Sequence, residues 1–318
     1  MKLSLFLVLI LLLASCQSEK EQRQEAIQSV DVDLKLVRFD SIFMNTPPEK
    51  VTQLSEKYPQ FFKSQYDDQI WVEKRKDSLM KVIQDEVEKQ FSSTDTLKKR
   101  LKKLFQHYKY YFPKSQVPTI YTVAEYVDYR NKVLLNKDNL IISLDNYLGK
   151  EHRFYTDFED YISGLQTQSQ ILPDVVSALS KKLINDNKQR SFITYMIDYG
   201  KTEYLKDRLI PFVAEHHRLG YTKDQLEWAY DNEKQIWRYF VEEELIYSTK
   251  KNLLNRFLYN GPFSKFYLKF DKESPPRLGR FIGRQIIKSY VAQHPEASLK
   301  EIMKMPGEAL FQASNYKP

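Results

Sequence analysis

Apolar side chains recur along this chain in three rhythms, and each rhythm predicts a different kind of element. Residues 3–13 are an almost unbroken apolar run, and eleven residues fall short of the roughly 20 that a helix needs to cross a bilayer. Between Val30 and Phe39, the residues Val32, Leu34 and Leu36 alternate with charged ones, the period of a half-buried strand. From Thr46 onward helical spacing takes over. Thr46, Pro47 and Glu49 predict a capping box with proline in the first turn, and Val51, Leu54 and Tyr58 supply its stripe up to Pro59. Leu79, Ile83 and Val87 mark the next helix; Leu97, Leu101, Leu104, Phe105 and Tyr108 mark a third that stops at Pro113. β-Branched and aromatic residues then concentrate in 117–123, and the apolar runs 133–135 and 140–144 flank a turn-forming stretch, 136–139, so a small sheet is expected. Helical spacing returns with Val176, Leu179 and Leu183 behind Pro173, and with 192–199 ending at Gly200 as the residue after the helix. A helix of about 25 residues is predicted from Thr222, where Gln225 completes a second capping box and Ala229, Ile236, Trp237, Phe240 and Leu245 carry the stripe. No glycine- or proline-rich linker divides the chain. The prediction is α+β: a predominantly helical single domain over 30–318 with a small mixed sheet.

The N-terminus adds an address. Lys2, the apolar run and then Leu13-Ala14-Ser15-Cys16 read as a secretory signal ending in a lipobox. Residues 1–15 are thus expected to be a lipoprotein signal peptide, and Cys16 the lipidation site. Residues 16–29 are polar, charged and almost without apolar side chains, and are expected to be a flexible lipid tether. Cys16 is the only cysteine, which leaves no thiol for a disulfide or a CxxC site. Gln17 and Ser18 are not the aspartate that often retains lipoproteins in the inner membrane, which points to the outer membrane. A formal charge of +7 would suggest nucleic acid in a cytosolic protein. In an exported one it suits anionic headgroups, acidic glycans or acidic proteins, and no nucleic-acid partner is expected. The runs Lys98-Lys99-Arg100 and Lys102-Lys103 read as the solvated face of a helix.

Little in the sequence nominates chemistry. The five histidines, His107, His152, His216, His217 and His294, include no i, i+4 pair, and HExxH, GxSxG, Walker and dinucleotide motifs are absent. No metal, cofactor or catalytic residue is therefore expected. The densest stretch of unusual residues is 261–290. Asp271 and Glu273 stand in a proline-flanked loop, Gly279 and Gly283 lie four apart on the following helix, and Arg280 and Arg284 share a second face. Two readings apply. Asp271, Glu273, Arg280 and Arg284 form a partner-binding surface, or the acids pair internally with the arginines while the glycines admit a close neighbour. An alternative of a different class is an envelope hydrolase of glycan or peptide using Asp271 and Glu273.

Several segments together carry a resemblance. They are Arg38-Phe39-Asp40, Tyr58-Pro59-Gln60-Phe61-Phe62, Tyr110-Tyr111-Phe112-Pro113, Asp145-Asn146-Tyr147-Leu148-Gly149, Tyr199-Gly200-Lys201, the run from Tyr221 to Trp228, Pro262-Phe263-Ser264-Lys265-Phe266 and Asn315-Tyr316-Lys317-Pro318. With the lipobox, they make the chain resemble the GldB-type gliding motility lipoproteins. The resemblance implies a lipid-anchored cell-envelope component of the gliding machinery, linked to type IX secretion and acting by protein contacts, with no catalytic or cofactor residues to carry over. That family in turn is distantly similar to predicted zinc peptidases with an HExxH helix. The helix in that place, 173–184, holds no histidine, so the likeness implies at most a degenerate zincin-like scaffold kept for binding or structure.

Overall fold

Stretches with strand patterning are few, and the sheet they build is small. The computed structural model describes residues 21–62, 65–185, 190–269 and 271–318; the leader 1–15 and Cys16 lie outside them. Helix α1 (21–28) opens the described chain. The flexible tether expected over 16–29 is corrected from residue 21 on, because Ile27 is 3% exposed and the Gln106 amide donates to the Gln28 and Val30 carbonyls at 2.9 and 3.2 Å. Strand β1 (Leu36–Val37) is followed by α2 (Phe39–Asn45), α3 (Val51–Lys57), α4 (Asp68–Lys76), α5 (Ser78–Gln90) and α6 (Asp95–Tyr111). Next come β2 (Thr119–Val123), β3 (Val133–Asn136) and β4 (Asn139–Ser143). The remainder is helical: α7 (Asp160–Ser163), α8 (Ile171–Leu183), α9 (Phe192–Leu209), α10 (Glu215–Leu219), α11 (Lys223–Asp231), α12 (Glu233–Glu242), α13 (Asn252–Phe257), α14 (Leu278–Gln293), α15 (Leu299–Lys304) and α16 (Gly307–Ser314). Among the described residues no helix is long and apolar enough to cross a membrane.

The strands run in the order β1-β2-β4-β3, with β1 and β4 parallel to β2 and β3 antiparallel to β4. This is the expected α+β fold with a small mixed sheet. The strand predicted over 30–39 shrinks to two residues paired with Ile120 and Tyr121; two residues before Ile120, just ahead of β2, stands Pro118, which has no N–H to extend the ladder. The two-residue period divides the sheet. Ile120, Leu140 and Ile142 face the main core, while Tyr121, Val123 and Ile141 face a separate aromatic cluster under α2–α4.

In the main core α14 crosses α9 backbone to backbone. A Cβ on Gly283 would stand 1.9 Å from the Met196 carbonyl oxygen, and one on Gly200 would stand 2.3 Å from the Gly283 carbonyl carbon. Gly200 is therefore a crossing point inside α9, not the residue that ends a helix. The close approach expected at Gly279 is met by Leu258, 2.8 Å from where its Cβ would be. Two other boundaries also move. Thr46 closes α2, its hydroxyl donating to the Ile42 carbonyl at 2.7 Å, and Pro48–Lys50 form a 3-10 turn before α3. The long helix from Thr222 begins with the predicted capping box but breaks at Asn232, whose backbone N–H and side-chain amide both donate to the Trp228 carbonyl, at 3.0 and 2.9 Å.

Candidate functional site

The aromatic face of the sheet encloses a cavity of about 260 Å³. Its walls come from the start of α2, from the turn after α3 and from α4, because Phe39 and Phe43 lie one helical turn apart and Pro59 directs Phe61 and Phe62 back over them. Phe39 and Phe61 stack at 4.0 Å, Trp71 meets Phe62 edge-on at 5.2 Å, and Tyr121 closes the group from β2 at 5.2 Å from Phe61.

A polar floor lies under these rings. Asp40 is 3% exposed, yet its carboxylate is fully served. The Arg38 guanidinium grips it with contacts of 2.7 to 3.1 Å, the Thr122 hydroxyl donates to it, and the Gln84 amide donates at 3.2 Å. Arg38 also reaches the Phe91 carbonyl at 2.7 Å, tying the floor to the end of α5. Other buried polar atoms here have no partner: Gln84 Oε1, Trp71 Nε1, and Nε and Nη1 of Arg75. Each such group costs about 1–3 kcal/mol. Beside the cavity runs a groove of about 370 Å³ that shares Met44 and Gln84 with it and adds Arg75, Lys81, Asp85 and Glu88.

The rim is held under strain. Lys74 pairs with Glu125 at 2.9 Å and sits over the Tyr126 ring at 5.6 Å. Tyr126 and Val127 both have positive φ, 52° and 57°, and at a β-branched residue that costs about 1–3 kcal/mol. The fully buried Asp145 carboxylate stabilises this turn. Its Oδ2 accepts from the Glu125 and Val127 N–H groups at 3.0 and 2.6 Å, and burial pushes the carboxyl pKa up to about 6. Tyr66, in the cavity lining, is exposed, as are Ile70 on α4 and Leu79 and Val82 on α5.

A second groove, of about 530 Å³, passes His216, His217, Gly220, Tyr221 and Arg277. The two imidazoles lie 4.1 Å apart, and burial, with His216 and Arg100 nearby, depresses the His217 pKa. Among the described residues no three His, Cys, Asp or Glu side chains stand where they could hold a metal ion.

The four residues singled out in 261–290 are not assembled into one surface. Asp271 accepts from the Phe266, Tyr267 and Leu268 N–H groups at 3.0, 2.8 and 3.2 Å, whereas Glu273 is exposed. Arg284 turns inward, with a side chain 3% exposed, and holds Asp207 at 2.6 Å and Glu215 at 2.8 Å. Arg280 donates to the Leu258 carbonyl, lies 3.9 Å from Glu203 and is pushed down to about 10 by burial and by Arg277. The internal reading thus holds for the arginines, but with acids from α9 and α10 in place of Asp271 and Glu273. The Asp271 carboxylate is held to its own loop by the three backbone donors.

Sequence reasoning missed Trp71, Arg75 and Gln84, although Gln84 beside Ile83 on the buried face of α5 was a readable signal. Two segments that carried the family resemblance, 38–40 and 58–62, fall in the pocket, and Asp145 from a third holds its rim. No curated protein and no solved structure matches the chain, so the zinc-peptidase likeness gains no support. The family model described as gliding motility protein GldB matches residues 20–318, and on that match over nearly its whole length the chain belongs to the GldB family of gliding motility proteins.

Proposed function

We propose that the protein is a non-enzymatic, lipid-anchored component of the gliding machinery in the cell envelope. In this reading Cys16 carries the lipid in the outer membrane, and the globule docks motility or type IX secretion proteins through the aromatic pocket. The supporting observation is the pairing of an aromatic cavity with the Arg75 guanidinium beside it, whose Nε and Nη1 have no hydrogen-bond partner. A peptide segment that places one large apolar side chain in the cavity and a carboxylate or carbonyl in the Arg75 groove matches both. The volume suits one such side chain, and aromatic walls with an adjacent arginine are the usual composition of interface hot spots.

The test places a photocrosslinker at Tyr66 on the rim of the full-length protein in gliding cells, with the same group at Tyr247 as control. Motility or secretion proteins crosslinked from Tyr66 alone, and lost in Trp71→Ala and Arg75→Glu, are the expected result. Equal yields from both positions, or yields unchanged in the two variants, overturn the docking reading. Cys16→Ala tests the anchor separately: the protein should leave the membrane fraction and gliding should stop, whereas normal gliding by a soluble protein refutes it.

A further inference from the structure

The loop between α13 and α14 is built to push two apolar side chains into solvent. Tyr267 is 65% exposed and Leu268 45% exposed, and Tyr267 has a φ of 66°, a costly conformation for a residue other than glycine. The loop is nevertheless fastened at several points. Asp271 gathers the three N–H groups already described, and the Phe266 ring is buried against Phe257 and Tyr239 at 5.0 Å. The Tyr239 hydroxyl donates to the Phe266 carbonyl at 2.7 Å, and Arg256 donates to the Lys265 carbonyl at 2.7 Å. Folding alone would favour turning Tyr267 and Leu268 inward.

Cations surround this tip. Arg256 and Lys265 lie 4.6 and 5.0 Å from the centre of the Tyr267 ring, and Lys269 and Lys272 are exposed on the same loop. Among the described residues no carboxylate pairs with Arg256, Lys265, Lys269 or Lys272, and Glu273 is the one exposed acid in the segment 262–274. Protein interfaces are depleted in lysine, whereas tyrosine at headgroup depth, an apolar side chain beyond it and lysines around both is the composition of an interfacial membrane contact. Cys16 is five residues from the start of the described chain, a reach of at most about 18 Å, so a lipid there holds the globule against the bilayer.

We infer that this loop is a second membrane contact, with Tyr267 and Leu268 entering the headgroup layer of an anionic bilayer and Arg256, Lys265, Lys269 and Lys272 binding its phosphates. The inference rests on the reading that Cys16 carries a lipid, and it adds that the globule has a fixed orientation on the membrane instead of swinging freely. Each lysine near an anionic surface strengthens binding about fivefold, so reversing Lys265, Lys269 and Lys272 should lower the docked fraction at least tenfold.

The single native cysteine makes the test direct. In the lipidated full-length protein, Leu268→Cys supplies the one free thiol for an environment-sensitive dye, and Val241→Cys, on exposed α12, is the control. Both are reconstituted in vesicles of phosphatidylcholine alone or with phosphatidylglycerol. The dye at 268 should shift to the blue and be quenched by lipid-borne quenchers on the anionic vesicles, with the signal lost when the three lysines are reversed; the dye at 241 should report water throughout. A dye at 268 that reports water on membrane-bound protein overturns the inference and leaves the anchor intact. Burial of position 268 only when envelope proteins are added overturns it in favour of a protein partner. Labelling of Cys16 itself, with protein free of the vesicles, shows instead that the anchor reading has failed.

Discussion

Two buried groups titrate in opposite senses over the same pH range, and replacing either one should expose the other. Asp145 is fully buried, with Oδ1 unpartnered and backbone N–H groups, chiefly the two of the strained turn, to offset its charge. Burial raises its pKa from 3.8 to about 6. A carboxyl raised in this way contributes stability that is present below pH 4 and lost as the pH climbs towards 6, about 3 kcal/mol in all. His107 does the reverse. It is 2% exposed, with Nδ1 donating to the Arg208 carbonyl at 3.0 Å and Nε2 unpartnered, and burial lowers its pKa from 6.5 to about 4. Its stability is present above pH 6.5 and lost as the pH falls towards 4, again about 3 kcal/mol. In the wild type these slopes nearly cancel. Asp145→Asn keeps an oxygen for the two N–H groups and removes the titration, so its stability should rise by about 3 kcal/mol from pH 4 to 6.5 relative to the wild type. His107→Gln keeps an N–H for the Arg208 carbonyl and should give the opposite slope. The assay is urea denaturation followed by circular dichroism at half-unit pH steps. Profiles for Asp145→Asn and the wild type that run parallel across the window refute the assignment of a buried, charge-penalised carboxyl.

Other perturbations follow from packing and pairing. Gly283→Ala puts a methyl group 1.9 Å from the Met196 carbonyl oxygen, and because backbone faces backbone, the unfolding free energy should drop by about 3 kcal/mol or more. Arg284→Leu leaves Asp207 and Glu215 without their shared guanidinium, and a loss of about 3 kcal/mol is expected in the same urea titration. Thr222→Ala removes one half of an exposed capping box, for a loss of only about 1 kcal/mol, and gliding should be unaffected.

How much of this was readable depended on whether a feature was local. The capping box at Thr222, the stripe of α6 and the hairpin of β3 and β4 depend on neighbours within four residues, and they stand where the sequence placed them. Gly200 did not, because a glycine after a tyrosine looks like a helix end unless the crossing helix, some 80 residues away, is known. The short β1 had a similar cause, since Pro118, just ahead of the partner strand, limits its length. For the site, the aromatic segment 58–62 was visible, but the pocket needs α2, α4 and β2 to converge. The arginines at 280 and 284 looked like a surface because their acids, Glu203, Asp207 and Glu215, come from elsewhere in the chain.

The proposed lipid attachment at Cys16 would also have a mechanical side. Tension arriving from the lipid end would meet the fold first at residues 21–37, which are held by Ile27, Val32, Leu34, the Gln106 amide and a strand with two register pairs. Those grips lie in series and would yield one after another, each at low force. Peeling them would release 17 residues, about 60 Å of extended chain, before the pull passed to Arg38 and α2 at the edge of the pocket. Under the proposed anchoring, this end of the protein would be an extensible leash that lengthens before load reaches the pocket-lining α2.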